Sequence, residues 1–218
     1  MSETAEHEVV GSEVEPAEAA GDDGERRDET LSEQERERRA AALAEVRVYG
    51  DPVLRSRASE ITDFGPELAS DAERMVGIMR DALGVGLAAT QLGVLRRMLV
   101  FAAGADATPT ALVNPRIEWT SDELATAEEG CLSLPGVAVD VERPLHARVR
   151  GLDIDGEPLL LEASGLEARV LQHEIDHLDG VLTLDRTDRA QRKGAMRALR
   201  EGGSFSPERE PEPERDDD

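Results

Sequence analysis

Large apolar side chains are crowded into the middle of this 218-residue chain, and that placement limits what can fold. Residues 1 to about 30 are rich in Glu, Ala, Asp and Gly, so ordering them would cost backbone entropy with little burial to offset it. The closing segment 207–218 repeats Pro and Glu and ends in three aspartates, a composition that neither builds a core nor continues a helix. We read both ends as solvated acidic tails. Residues 1–40 carry 14 acids against 5 bases, and residues 203–218 carry 7 against 2, so the tails hold most of the net charge of −23. A chain of that sign does not line a nucleic-acid groove with Lys and Arg, and direct nucleic-acid binding is excluded. One domain of roughly 150 residues is what remains to fold.

The expected organisation is a tail over 1–44, disordered or partly helical, a folded domain over 45–190, and a helical extension with a Pro/Glu tail over 191–218. Residues 32–44 contain good helix formers, but their apolar face is only alanine and one leucine, which predicts weak packing. From Pro66 to Leu83 the positions Leu68, Ala72, Met75, Val76, Met79 and Leu83 recur at steps of three and four, the mark of one buried helical face. Short apolar or alternating runs at 98–102, 111–114, 147–152 and 159–162, separated by Gly, Pro and Asp, read as strands. Residues 165–178 return to helical spacing, with Leu166, Val170, His173 and His177 on one face and Gly180 as the stop. The fold class is α+β, with antiparallel-rich sheets around a late helix. No run of 18 apolar residues occurs, and the start Met1-Ser2-Glu3-Thr4 is the reverse of a basic, then apolar, secretory signal. With one cysteine, Cys131, no intrachain disulfide forms, and a reducing cytoplasm is the expected compartment, without a membrane partner.

Chemistry concentrates in His173-Glu174-Ile175-Asp176-His177. Histidines four apart on a helix stand one above the other and can share an ion, and the carboxylate after the first then sits beside the coordinated water. Hydrolytic sites of this kind take three protein ligands, so one is missing. Cys131, in Glu129-Gly130-Cys131-Leu132-Ser133-Leu134-Pro135, is the obvious candidate, because Gly before it and Pro beyond suggest a bent, thiol-exposing segment. A lone cysteine is more often a small buried hydrophobe, but an incomplete histidine pair reverses that preference. The other histidines are His7 in the tail and His146 in a strand-like run, where a structural role is expected. A third stretch, Gly84-Val85-Gly86-Leu87-Ala88-Ala89-Thr90-Gln91, imitates a dinucleotide fingerprint. It follows a helix rather than a strand, and no acidic ribose partner sits in a βαβ unit after it, so the nucleotide reading fails. Its glycines instead suit close backbone approach, and Gln91 offers an amide N–H to a developing oxyanion.

Together G-V-G-L-A-A-T-Q, E-G-C-L-S and Q-H-E-I-D-H-L-D-G, with Gly50-Asp51-Pro52-Val53-Leu54-Arg55 near the domain start, resemble the peptide deformylase family over about residues 46–187. The resemblance implies a hydrolase that removes the formyl group from the N-terminal methionine of nascent polypeptides and releases formate. It implies ferrous iron as the native metal, replaceable by Zn2+, Ni2+ or Co2+, and formyl-methionyl nascent chains near the ribosomal exit tunnel as partners. Carried over residue by residue, the metal ligands fall on Cys131, His173 and His177, the general acid/base on Glu174, and the carbonyl-stabilising groups on Gln91 and the Leu132 N–H. The methionine pocket falls on Val85, Gly86, Leu132, Leu166 and Val170. One departure is Ala138, where many bacterial members place an arginine that contacts the peptide backbone, and Arg143 does not obviously replace it. Two rivals stand beside this reading. A HExxH metalloprotease would need a downstream third ligand, for which only Asp179, Asp185 and Asp188 can be nominated. A silent metal-binding paralogue would have little use for intact Glu174 and Gln91.

Overall fold

A computed structural model describes residues 30–104 and 107–207, so the expected solvation of residues 1–29 and 208–218 lies outside the described residues. Helix α1 (Glu33–Glu45) starts at a reciprocal cap, in which the Ser32 hydroxyl accepts from the Glu35 N–H and the Glu35 carboxylate accepts from the Ser32 N–H. Its narrow alanine face packs after all, because Ala42 and the following Val46 are buried against α2 (Pro66–Asp81). Helix α2 buries Leu68, Ala72, Met75 and Met79 at the spacing read from the sequence and adds Ile78, whereas Val76 is only partly buried and Leu83 falls past the helix end, at φ +59° and 37% exposed.

Seven strands follow the pattern β1 (Gly86–Ala88), β2 (Met98–Phe101), β3 (Thr110–Thr120), β4 (Leu124–Gly130), β5 (Ala138–Pro144), β6 (His146–Leu152) and β7 (Pro158–Ser164). They form one sheet in the order β1-β2-β3-β6-β7 and a separate β4-β5 hairpin, with every pairing antiparallel. Helix α3 (Gly165–Leu178) lies on the large sheet through Ala168, Val170, Leu171, Ile175 and Leu178, which join Ala88, Leu99, Leu112 and Val149 in one core. Leu171 and Leu178 are fully buried, and each contributes about 1.5–3 kcal/mol by leaving water. The helix ends because Gly180 takes φ +75°, and a Cβ there would fall 2.7 Å from the Arg55 carbonyl oxygen.

Beyond α3, a short helix α4 (Thr183–Arg186) leads to α5 (Arg189–Glu201), capped by the Asp188 carboxylate on the Ala190 and Gln191 N–H groups. Helix α5 is part of the folded unit: Ala195 and Ala198 pack with Leu134, Val139, Val141 and Leu184 behind the hairpin. Phe205 then pairs with Val137, so the chain returns to the hairpin edge after α5. No helix among the described residues is long and apolar enough to cross a membrane.

Candidate metal centre and its surroundings

Helix geometry and one tight turn bring the three candidate ligands together. His173 and His177 project from the same side of α3, with their Nε2 atoms 3.2 Å apart. Cys131 follows the last residue of β4, in a turn closed by the Leu134 N–H on the Cys131 carbonyl (2.8 Å), and its Sγ lies 3.1 Å from His177 Nε2. One ligand atom from each of the three residues lies within 4.8 Å of the others. Tetrahedral coordination with metal–sulfur and metal–nitrogen bonds of about 2.3 and 2.0 Å separates such donors by roughly 3.3–3.6 Å, so the donor set fits a single ion. Among the described residues this is the group of His, Cys and acidic side chains that can hold a metal.

Glu174 faces this centre from α3. Its carboxylate lies over Gly86 so closely that a Cβ there would fall 2.8 Å from Glu174 Cγ. The glycine read from the sequence as room for close approach therefore makes room for the acid itself. Glu174 is buried with Oε2 unpartnered. Burial raises its pKa to about 7, and the nearby Glu129 charge adds to the rise against the opposing influence of His173, Arg143 and the Ala88 N–H. A carboxyl poised there exchanges a proton near neutral pH.

Gln91 closes another side. Its Oε1 accepts the Ala88 N–H (2.9 Å), which turns the amide so that Nε2 points at Ser133 Oγ (3.3 Å) and Cys131 Sγ (3.7 Å). Leu132 sits in the cysteine turn, with its Cδ1 3.2 Å from where a Gly84 Cβ would be. The remaining pocket candidates divide: Val85 and Leu166 are exposed, at 45% and 39%, whereas Val170 is buried within the core beneath α3. His146 is remote from the centre in contacts, with its Nδ1 against Ser164 Oγ at 2.8 Å.

Sequence reasoning missed a buried ionic layer behind the ligands. Glu129 receives Arg143 through Nε (2.6 Å) and NH2 (2.9 Å), Arg169 through NH1 (2.7 Å), and His173 through Nδ1 (2.9 Å). Burial opposes charge on Glu129, but the bonds to His173 and Arg143 outweigh it and hold the carboxyl far below its usual range. An ionised Glu129 accepts the Nδ1 proton of His173 and so leaves Nε2 facing Cys131 and His177. Arg143 also donates to Asp176 (2.9 Å) and is 4% exposed, so it cannot stand in for the peptide-contacting arginine absent at Ala138. Alternation through Val139, Val141 and Arg143 could have marked Arg143 as an inward position of β5, but a buried arginine reads as a surface residue until its partner is known.

The acids nominated as protease ligands are engaged elsewhere. Asp179 pairs with Arg97 and Arg57, Asp185 with Arg55 and Arg192, and Asp188 caps α5. The profile of the Polypeptide deformylase family matches residues 43–193, more than half of the chain. This chain belongs to that family. A peptide deformylase of Acidothermus cellulolyticus is 48% identical over 160 residues, covering 73% of this chain and 87% of the relative. Peptide deformylase 1 of Corynebacterium efficiens is 48% identical over 166 residues, covering 75% and 98%. Among solved structures, the Synechococcus elongatus peptide deformylase in complex with actinonin superposes with a TM-score of 0.68 at 40% identity, covering 73% of this chain and 88% of the other. Members of the polypeptide deformylase family are hydrolases that remove the N-formyl group from nascent polypeptides, and this chain is an enzyme of that kind.

Proposed function

We propose that Cys131, His173 and His177 hold one divalent cation, ferrous iron in its native state, and that Glu174 moves the protons of formyl-methionine deformylation. The convergence of a thiol and two imidazoles beside a buried, unpartnered carboxylate carries this reading. A cation held there supplies Lewis acidity and brings the pKa of a coordinated water toward neutrality. Zn2+, Ni2+ and Co2+ suit the same sulfur and nitrogen donors and should substitute.

Glu174, with its pKa near 7, takes a proton from the attacking water and returns it to the amide nitrogen as the C–N bond of the formyl group breaks. Gln91 Nε2 and the Leu132 N–H share the negative charge that develops on the formyl oxygen, and Gln91 is held for that by its bond to Ala88. Burial of Glu174 and Gln91 keeps bulk water from screening these contacts. Val85, Gly86, Leu132, Leu166 and Val170 supply the wall for the methionine side chain, with Val85 and Leu166 at its open rim.

The enzyme works in the cytoplasm, close to the ribosomal exit where formylated chains emerge. Helix α5 exposes Arg189, Arg192, Lys193 and Arg200 on an otherwise acidic chain, which suits that approach. Formate release from formyl-Met-Ala-Ser by anaerobically iron-loaded enzyme tests the reading. Formate without internal cleavage is expected; cleavage inside the peptide would indicate a protease, and neither product from metal-loaded protein would indicate a silent paralogue.

A further inference from the structure

Glu129 orients His173, yet Glu129 stands on the β4-β5 hairpin while His173 stands on α3, so the ligand geometry depends on how the hairpin is seated on the helix. Cys131 follows that hairpin directly. Two guanidinium groups join the two elements. Arg143, on β5, grips Glu129 and reaches Asp176 on α3. Arg169 works in the opposite direction: it stands on α3 one turn before His173, and its NH1 donates to Glu129 Oε1 (2.7 Å) and the Val141 carbonyl (2.9 Å). Its NH2 donates to the Ala125 carbonyl (2.6 Å), so one side chain binds main chain of both hairpin strands and the orienting carboxylate.

The guanidinium attachments on α3 fall at residues 169 and 176, seven apart, hence about 10 Å along the helix axis, and between them His173 bonds Glu129 and Gln172 donates to the Pro144 carbonyl of β5 (3.0 Å). Without Arg169 the remaining polar ties all lie within residues 172–176, little more than one turn, whereas Arg169 extends the attached span by another turn and adds the Ala125 carbonyl of β4, so the helix is held against swinging as well as sliding. We infer that Arg169 is a positioning residue for the metal centre, setting the separation between the thiol on the hairpin side and the imidazoles on α3. This inference rests on the ligand assignment proposed above. Arg169 touches neither a ligand atom nor the substrate side in any recorded bond; its effect passes through Glu129 and the hairpin backbone. A planar fork suits this task, because its NH1 and NH2 serve different acceptors from two fixed positions, whereas an ammonium presents all three donors from a single nitrogen.

Cobalt binding to the full-length protein tests it, with the dissociation constant taken from chelator competition and the coordination geometry from the visible spectrum. Wild type should bind one Co2+ with a sulfur-to-metal band that Cys131→Ser removes. If wild type binds no ion, or the band survives that change, the ligand assignment fails. Given wild-type binding, Arg169→Met should weaken Co2+ binding about 10–100-fold and alter the band shape, lowering kcat more than it raises KM. Arg169→Lys should recover part of the affinity. Leu68→Ala, which opens a cavity beneath α2 in a core that holds no candidate ligand and no residue of β4 or β5, should lower the melting temperature while leaving the spectrum unchanged. The inference is overturned if folded Arg169→Met binds Co2+ within twofold of wild type with a superimposable spectrum. It is overturned equally if Leu68→Ala reproduces the spectral change. Should Arg169→Met fail to fold, Arg169→Lys is held to the same criterion.

Discussion

Replacing Glu174 with glutamine separates three properties that a metal ligand would lose together: ion binding, proton transfer and the cost of burying a charge. Glu174 is 4% exposed, and its pKa rises from an ordinary 4.5 to about 7, chiefly through burial. In metal-free protein the carboxyl is neutral in both folded and unfolded states below pH 4, so it places no charge penalty on folding there. Above that the unfolded chain ionises first. The stabilisation present at low pH is then lost progressively until the folded carboxyl also ionises near pH 7. A gap of 2–3 pKa units corresponds to about 3 kcal/mol. Glutamine has no charge to lose, and its own packing cost is the same at every pH. The unfolding free energy of Glu174→Gln relative to wild type should therefore climb by about 3 kcal/mol between pH 4 and pH 8. Urea unfolding of chelator-treated proteins at a series of pH values measures the difference; groups distant from Glu174 cancel, and the coupled change at His173, whose pKa the Glu174 charge helps to raise, is included in it. A flat difference would refute the account of Glu174 as a desolvated carboxyl. In metal-loaded enzyme the same substitution should cost about 10²–10⁴ in kcat with one ion still bound. Metal content falling in step with activity would instead make Glu174 a ligand.

Gly86→Ala should cost at least about 1–3 kcal/mol of stability and most activity, because its Cβ would displace the Glu174 side chain; a crystal structure and a formate assay would check both effects. Arg143→Met leaves Glu129 and Asp176 as buried acids short of a partner and should destabilise the fold by about 3–5 kcal/mol, measured by urea unfolding. Chelation should lower the melting temperature, and re-addition of Co2+ at about 100 times its dissociation constant should restore roughly 2.7 kcal/mol, read from calorimetry.

What could be read from the sequence depended on whether a residue's partner was near in sequence or far. His173 and His177 are four positions apart, so helix geometry alone predicted that they stand one above the other, with Glu174 beside them, and α3 has the bounds expected for it. Helix α2 was equally plain because its buried positions are apolar and regularly spaced. Strands β4 and β5 escaped notice for the opposite reason. Their buried positions include Glu128, Glu129 and Arg143, which a hydrophobic pattern counts as surface. Pairing across the hairpin, and from it to Arg169 and Asp176 on α3, makes burial of Glu129 and Arg143 tolerable, while Glu128 accepts from the Ser206 hydroxyl.

The concealed strands also explain why the site is built on charge rather than on another apolar layer. A purely hydrophobic contact between hairpin and helix would be non-directional and would tolerate sliding or rotation of one element on the other. Candidate donors only about 3 Å apart tolerate little of either, since a shift of a few tenths of an ångström changes the space left for an ion. Bidentate and branched guanidinium bonds are directional, so Arg143 and Arg169 specify one seating of the hairpin on α3. Their cost is desolvation, offset only while Glu129 stays ionised and Asp176 stays within reach of Arg143. Metal binding and hairpin docking are therefore expected to be coupled: an ion that fixes Cys131 against the histidines also favours the hairpin position in which both arginines reach their acceptors.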